Sequence, residues 1–342
     1  MHSFKRILKI VGVFLLAVVL LSVMFAEFYL QGENFDYQDA RERDRLAGKV
    51  TVLICGASYT MYGIQPEILN QRLGISSYNV TGALMTMEGR YTLLKKELER
   101  NPVHTVVLEV SVDTLIRDRT AEGPEGDLPI LGRLSGVGER LSYLHSAFSL
   151  SEYPMAYYDL VSKGIESSLR FITGKYHKEN SEMKLGYLRV KKDSRELPTN
   201  YQDIYGLRSL PEEIVPENED GLERLVSLCK ENGATVILVV TPKSKYYNCL
   251  YANLDYFDQW YRSFAEKHGV HYLNFNLDKE KTTRLPDSDS YYDETHMNIK
   301  GSAEFTKMLS SALQDIWKQR NYAYKYFDSY SALRWSDHYL DS

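Results

Sequence analysis

The stretch Lys49–Gly63, KVTVLICGASYTMYG, decides how the rest of the chain is read. Val50–Cys55 is a short apolar, β-branched run, the pattern of a buried strand. Gly56-Ala57 breaks the run, and Ser58 stands where the chain would turn toward a helix. Open α/β sheets gather their chemistry at the carboxyl ends of strands, so Ser58 is in a position to act. Gly-x-Ser turns are common, however, and Ser58 needs partners from elsewhere in the chain.

Outward from this strand, the pattern repeats. Ile64–Leu73, with Pro66 near its start, has helix-like apolar spacing, Ser77–Val80 reads as a second strand, and Met85–Glu99 reads as a surface helix. Thr105–Val110 is a third strand, apolar after Thr105 except for Glu109. The rhythm then stops from about Val112 to Pro216. Gly123, Pro124, Gly126, Pro129, Gly132, Gly136 and Gly138 punctuate the first part, aromatic-rich helical stretches cover Tyr143–Phe171, and a charged irregular stretch follows over Lys175–Asn200. By position this is an insertion over the sheet edge, a substrate lobe or lid.

The regular pattern returns with a helix face at Leu222, Leu225, Val226 and Cys229, ended by Gly233. Thr235–Val240 is a fourth strand, and Tyr256, Phe257, Trp260, Phe264 and His268 form a helical stripe. His271–Phe275 is a fifth strand, and Ser302–Gln319 is an amphipathic helix capped near Asn298 or Ser302. Five strands with crossover helices predict a three-layer α/β/α sandwich around a mostly parallel sheet.

Composition narrows the function. The 342 residues are enough for one large domain or a domain with an inserted lobe, and a formal charge of -5 without a basic stripe gives no nucleic-acid footprint. Cys55, Cys229 and Cys249 make no disulfide framework and no metal knuckle, and read as buried thiols. At the amino-terminus, Ile10–Ala26 is 17 residues without a charge, preceded by His2, Lys5, Arg6 and Lys9 and followed by Glu27, Glu33, Asp36 and Asp39. It is about long enough to span a bilayer, and the charge asymmetry keeps the amino-terminus in the cytoplasm and the bulk of the chain outside. A cleaved signal peptide competes, but cutting after Ala26 would put Met24 at the minus-three position, where a small residue belongs. The expected layout is an anchor over 1–30, a juxtamembrane linker over 31–48, a catalytic domain over 49–320 with its insertion at about 112–216, and an aromatic-rich tail over 321–342.

The partners of Ser58 come from the far end of the chain. Tyr291-Tyr292-Asp293-Glu294-Thr295-His296 forms a polar loop just before the last helix. Asp293 and His296 are three apart, so a tight turn lets the carboxylate fix the imidazole tautomer at Nδ1 and leaves Nε2 for a serine hydroxyl. A serine needs such a base because its own hydroxyl is a poor nucleophile at neutral pH. No second histidine or cysteine offers zinc-ligand spacing, and no cofactor motif is present.

With GAS at Gly56–Ser58, NVTG at Asn79–Gly82 and DETH at Asp293–His296, followed by Asn298 and Gly301, the chain resembles the SGNH/GDSL-type hydrolases. Within them it is most similar to the membrane-anchored branch that includes DltD-like and alginate-acetylation proteins. The resemblance covers residues 49–111 and 219–318. It implies Ser58 as nucleophile, Asp293 and His296 as its partners, and an oxyanion hole from the amides of Ser58 and Gly82. Two departures stand out. Ala57 replaces the family's usual aspartate, which leaves the nucleophile intact, and the third block lacks its asparagine, with Ser111 the nearest positional match. Losing one oxyanion donor costs about 3 kcal/mol in the transition state.

The resemblance implies serine-dependent acyl transfer at the cell surface, with a polysaccharide or teichoic acid as acceptor and a multispanning membrane acyltransferase as donor partner. An exported carbohydrate or lipid esterase, or an inactive accessory protein of such a machine, are the alternatives. The chain has 27 tyrosines, and Tyr143, Tyr153, Tyr157 and Tyr158 in the insertion are expected to offer a face to a sugar.

Overall fold

A computed structural model describes residues 2–30, 35–119, 126–174, 183–189, 197 and 200–336. Gly123 and Pro124, residues 31–34, most of the irregular stretch 175–200 and the last six residues of the tail lie outside these. The chain forms two compact units, one from Met1–Glu42 with Gly123–Ser181 and the other from Arg43–Glu122 with Glu182–Ser342.

The second unit is built on β1 (Val52–Gly56), β2 (Ser77–Thr81), β3 (Thr105–Glu109), β6 (Thr235–Val240) and β7 (His271–Asn274), in the order β2-β1-β3-β6-β7. Every neighbouring pair is parallel, as the crossover spacing predicts. Two further strands, β4 (Met183–Lys184) and β5 (Tyr187–Leu188), make a small antiparallel hairpin that bonds to the edge of β2 through Asn79 and Thr81.

Both faces of the sheet are covered, which is why its strands read as apolar runs rather than as alternating ones. On one face Ile54, Val107, Ile237 and Val239 pack with Leu69 of the helix Pro66–Leu73 and with Phe305, Leu309 and Leu313 of the final helix Ile299–Trp317. On the other, the helices Met87–Arg100 and Pro216–Glu231 lie against each other and bury Leu93, Leu94, Leu222 and Val226. Gly221 permits that approach, since a Cβ there would meet Met87 Cβ at 2.6 Å. All three cysteines are free and buried, and burial pushes the Cys55 thiol up to about 12. Residues of the expected tail pack here as well, with Tyr330 and Leu333 buried beside Cys249 and Leu277.

The expected insertion over 112–216 divides between the two units. The helices Leu128–Arg133, Val137–Ala147 and Tyr153–Ile172 join the amino-terminal helix His2–Leu30 in the first unit, whereas the hairpin and the turn Tyr201–Ile204 belong with the sheet. The amino-terminal helix is long and apolar enough to cross a membrane over Lys5–Leu30. A signal sequence meets the same test. Within this unit Tyr143 is interior, 2% exposed, with its hydroxyl donating to Asp127 at 2.5 Å. Tyr153 donates to the Leu144 carbonyl at 3.1 Å, the Tyr157 hydroxyl pairs with that of Ser22, and the Tyr158 ring is exposed.

Candidate active site

The sheet order reverses between β1 and β3, and at such a switch point the carboxyl ends of the strands open a crevice. Ser58 stands there as the first residue of a short helix, Ser58–Gly63. The turn that carries it is tight. A Cβ on Gly56 would overlap Thr60 Oγ1 and meet Glu109 Cβ at 2.6 Å, so only glycine lets the chain pass this close to β3. Glu109, fully buried, accepts the Ala57 amide at 3.4 Å and faces Arg90 at 3.5 Å, while Arg90 also donates to the Glu109 carbonyl at 2.8 Å. The one charged residue inside β3 is thus a buttress beneath the serine turn.

The loop before the final helix brings the other two residues. The backbone folds back on itself there, with the Tyr292 amide donating to the His296 carbonyl at 2.8 Å and Tyr291 bridging Met297. Ser244 holds the loop from outside by donating its hydroxyl to the Glu294 carbonyl at 2.7 Å. Asn298 caps the final helix, accepting from the amides of Lys300 and Gly301, each at 3.0 Å. Capping falls to Asn298, so Asp293 and His296 are left for other work.

Asp293 Oδ2 lies 2.9 Å from His296 Nδ1, and His296 Nε2 lies 3.0 Å from Ser58 Oγ. Carboxylate, imidazole and hydroxyl stand in one hydrogen-bonded row. Burial raises the Asp293 pKa. The His296 ring bond and charge, with the amides of Thr295 and His296 donating to the carboxylate, outweigh that effect and hold it well below the usual range. The imidazole is clamped between two aromatic rings, Tyr59 at 5.1 Å and Tyr62 edge-on at 5.4 Å.

Gly82 and Ser111 also reach this edge. Thr81 pairs with Gly56 in register, so Gly82 leaves β2 beside the serine turn. Ser111 follows β3, but its side chain has a structural task. It caps the helix Val112–Ile116, its hydroxyl 3.1 Å from that of Thr114, and its carbonyl accepts from Tyr261 at 2.7 Å. Tyr143, Tyr153, Tyr157 and Tyr158 belong to the other unit.

Sequence reading missed Lys243. It is 3% exposed, its Nζ sits 2.7 Å from the centre of the Tyr59 ring, and its backbone is held by Asn276 and Tyr291. Burial lowers its pKa to about 7, against the opposing pull of Glu109, Asp113 and Asp293. Tyr59 in turn donates to Asp113 at 2.5 Å. Lys243 thus sits over the Tyr59 ring, and that ring packs at a tilt against the His296 imidazole. The only signal was position, since Lys243 follows Thr241-Pro242 at the end of a strand on the same edge.

No family model matches the chain, and no curated protein does. Solved structures do. A GDSL-like lipase from Bacteroides thetaiotaomicron VPI-5482 is 9% identical with a TM-score of 0.41, covering 82% of this chain and 98% of its own. A candidate acylhydrolase from Bacteroides fragilis NCTC 9343 is 10% identical with a TM-score of 0.41, covering 83% and 98%. Protein YXIM of Bacillus subtilis is 9% identical with a TM-score of 0.40, covering 80% and 57%. At such identities the chemistry of this chain is read from its own side chains.

Proposed function

We propose that this protein is a serine-dependent acyl-transfer enzyme of the SGNH/GDSL type. The observation that carries the reading is the unbroken row from Asp293 through His296 to Ser58, with contacts of 2.9 and 3.0 Å. Ser58 Oγ attacks an ester or thioester carbonyl while His296 Nε2 takes its proton, and Asp293 holds the imidazole in the required tautomer. The oxyanion is held by the Ser58 amide, a first-turn donor without an intrahelical acceptor, and by the Gly82 amide. Collapse expels the alcohol or thiol, which leaves with the proton from His296, and the acyl group stays on Ser58. An acceptor hydroxyl then attacks with His296 again as base, freeing the serine.

We further propose that the amino-terminal helix is an uncleaved anchor, that the sheet unit lies outside the membrane, and that the acceptor is a cell-surface polysaccharide or teichoic acid. The acyl group, acetyl or D-alanyl, would be passed across by a multispanning membrane acyltransferase. Charges before and after Ile10–Ala26 support the orientation, and the loss of a third oxyanion donor supports slow hydrolysis. The experiment loads Ser58 from a labelled acetyl or D-alanyl donor and follows label by mass spectrometry with and without cell-wall oligosaccharides. Transfer to the glycan is expected. Rapid hydrolysis unchanged by every acceptor would reduce the protein to an esterase.

A further inference from the structure

The helix Tyr153–Ile172 carries three distinct faces. Leu160 and Gly164 are buried, and Tyr157 and Phe171 lie on the same side, where the helix meets His2–Leu30. Phe28 and Phe171 pack edge to face at 6.1 Å, Ser22 pairs with Tyr157, and a Cβ on Gly164 would run into the Phe25 carbonyl. Asp159, Lys163, Glu166 and Arg170 form a second, charged face, with Glu166 and Arg170 paired at 2.5 Å.

The third face is apolar and uncovered. Met155, Tyr158, Ile165, Leu169 and Ile172 recur at spacings of three, four and seven and fall within an arc of about 100°. They are 61%, 70%, 41%, 56% and 76% exposed. In water such a stripe is a liability.

Its neighbour says what covers it. Counted from Ile10, about 20 residues cross a hydrocarbon core, which places Ser22, Phe25 and Phe28 inside the far leaflet. Tyr157, Gly164 and Phe171 touch those residues and are therefore at that depth as well. The contacts span about 9 Å along the amino-terminal helix but about 21 Å along its partner, so the partner is inclined toward the membrane plane.

We propose that Tyr153–Ile172 is an interfacial helix, lying in the headgroup boundary of the bilayer that His2–Leu30 crosses, with its apolar stripe against lipid. The proposal goes beyond the acyl-transfer reading and rests on the amino-terminal helix being a membrane anchor. Two acidic and two basic side chains leave the helix neutral, so apolar burial drives the insertion and anionic lipid is not required. Lys163 and Arg170 reach out to the headgroups along their own stems.

The test uses the full chain in phosphatidylcholine vesicles, with single added cysteines carrying an environment-sensitive fluorophore at Ile165→Cys, Leu169→Cys, Val18→Cys or Asp220→Cys. The native cysteines are buried and do not compete. A nitroxide on the upper acyl chain should quench positions 165 and 169 at least twofold more than position 220, unchanged in 1 M salt. If 165 and 169 match 220 while 18 is quenched, the anchor stands and the interfacial helix is wrong. If 18 is unquenched too, the anchor fails and takes the proposal with it. Shielding of 165 and 169 that requires other membrane proteins, and is absent in pure lipid, would assign the stripe to a protein partner and overturn the lipid assignment.

Discussion

The two units of this chain handle polarity in opposite ways. In the sheet unit large apolar side chains are inside, and the exposed ones, Leu84, Tyr205, Leu207, Tyr256, Tyr324 and Trp335, are scattered. Charged and polar groups are instead drawn inward at one edge, where Glu109, Lys243 and Asn276 are nearly inaccessible beneath Ser58 and His296. The helical unit has a small core around Leu128, Ile130, Leu131 and Tyr143, but long apolar stretches are exposed, from Ile10 through Met24 and again at Met155, Tyr158, Ile165, Leu169 and Ile172. Buried polar groups are costly unless each is held by a partner, and under the proposed function those at this edge would offset that cost by orienting Ser58 and His296. Exposed apolar stripes are costly in water, and the proposed membrane placement would give them lipid to face.

The largest expected effect breaks the polar edge at its centre. His296→Ala removes the base and should lower kcat by on the order of 10⁶-fold, and Asp293→Asn, which favours the wrong tautomer, by on the order of 10⁴-fold. Ester turnover of the two variants checks this, with circular dichroism to show that the fold is kept. Gly56→Ala tests the buttress behind the serine. Its Cβ collides with Thr60 and Glu109, and overpacking of that kind should cost about 1–3 kcal/mol in denaturant unfolding.

Ser111→Ala sharpens the account of the third block. A lost helix cap costs about 1 kcal/mol, and turnover should stay within twofold of wild type. A fall of about 10²-fold or more would make Ser111 an oxyanion donor after all.

The last effect concerns the buried lysine and has a definite sign. Lys243 titrates near 7 in the folded protein against an ordinary value of 10.5. Between these values the unfolded chain holds a proton that the folded one has released, so stability rises with pH across that window and is lowest below it. Lys243→Met removes this dependence. Its stability gain over wild type should be greatest at pH 6 and shrink by pH 9, by thermal unfolding in matched buffers.

Much of the sheet unit was legible because its signals are local. Each strand ended within two residues of its apolar run, and of the two caps read for the final helix, Asn298 and Ser302, Asn298 is the one that holds its start. Asp293 and His296 were readable as a pair because they share one turn. The meeting of His296 with Ser58, 238 residues away, was readable only through motifs placed on one sheet edge. Lys243 was not legible, since a lysine in Thr-Pro-Lys-Ser resembles any polar turn, and its burial depends on Tyr59 and Asn276 from distant segments. Glu109 did leave a mark, as the one charge in an apolar strand. The division of the insertion was hidden for a similar reason. The helix Tyr153–Ile172 finds its partner in Ser22–Phe28, more than a hundred residues upstream, and nothing in its own sequence names that partner.

The central claim is that Ser58 is a nucleophile raised to reactivity by His296. A fluorophosphonate reports this directly, because it bonds fast to a serine whose proton is taken as it attacks and slowly to an unactivated one. The wild-type protein should gain one phosphonyl group in intact mass, mapped by peptide sequencing to Ser58, and His296→Ala should gain none in the same time. Labelling elsewhere in the wild type, or equal labelling of Ser58 without His296, would contradict the account.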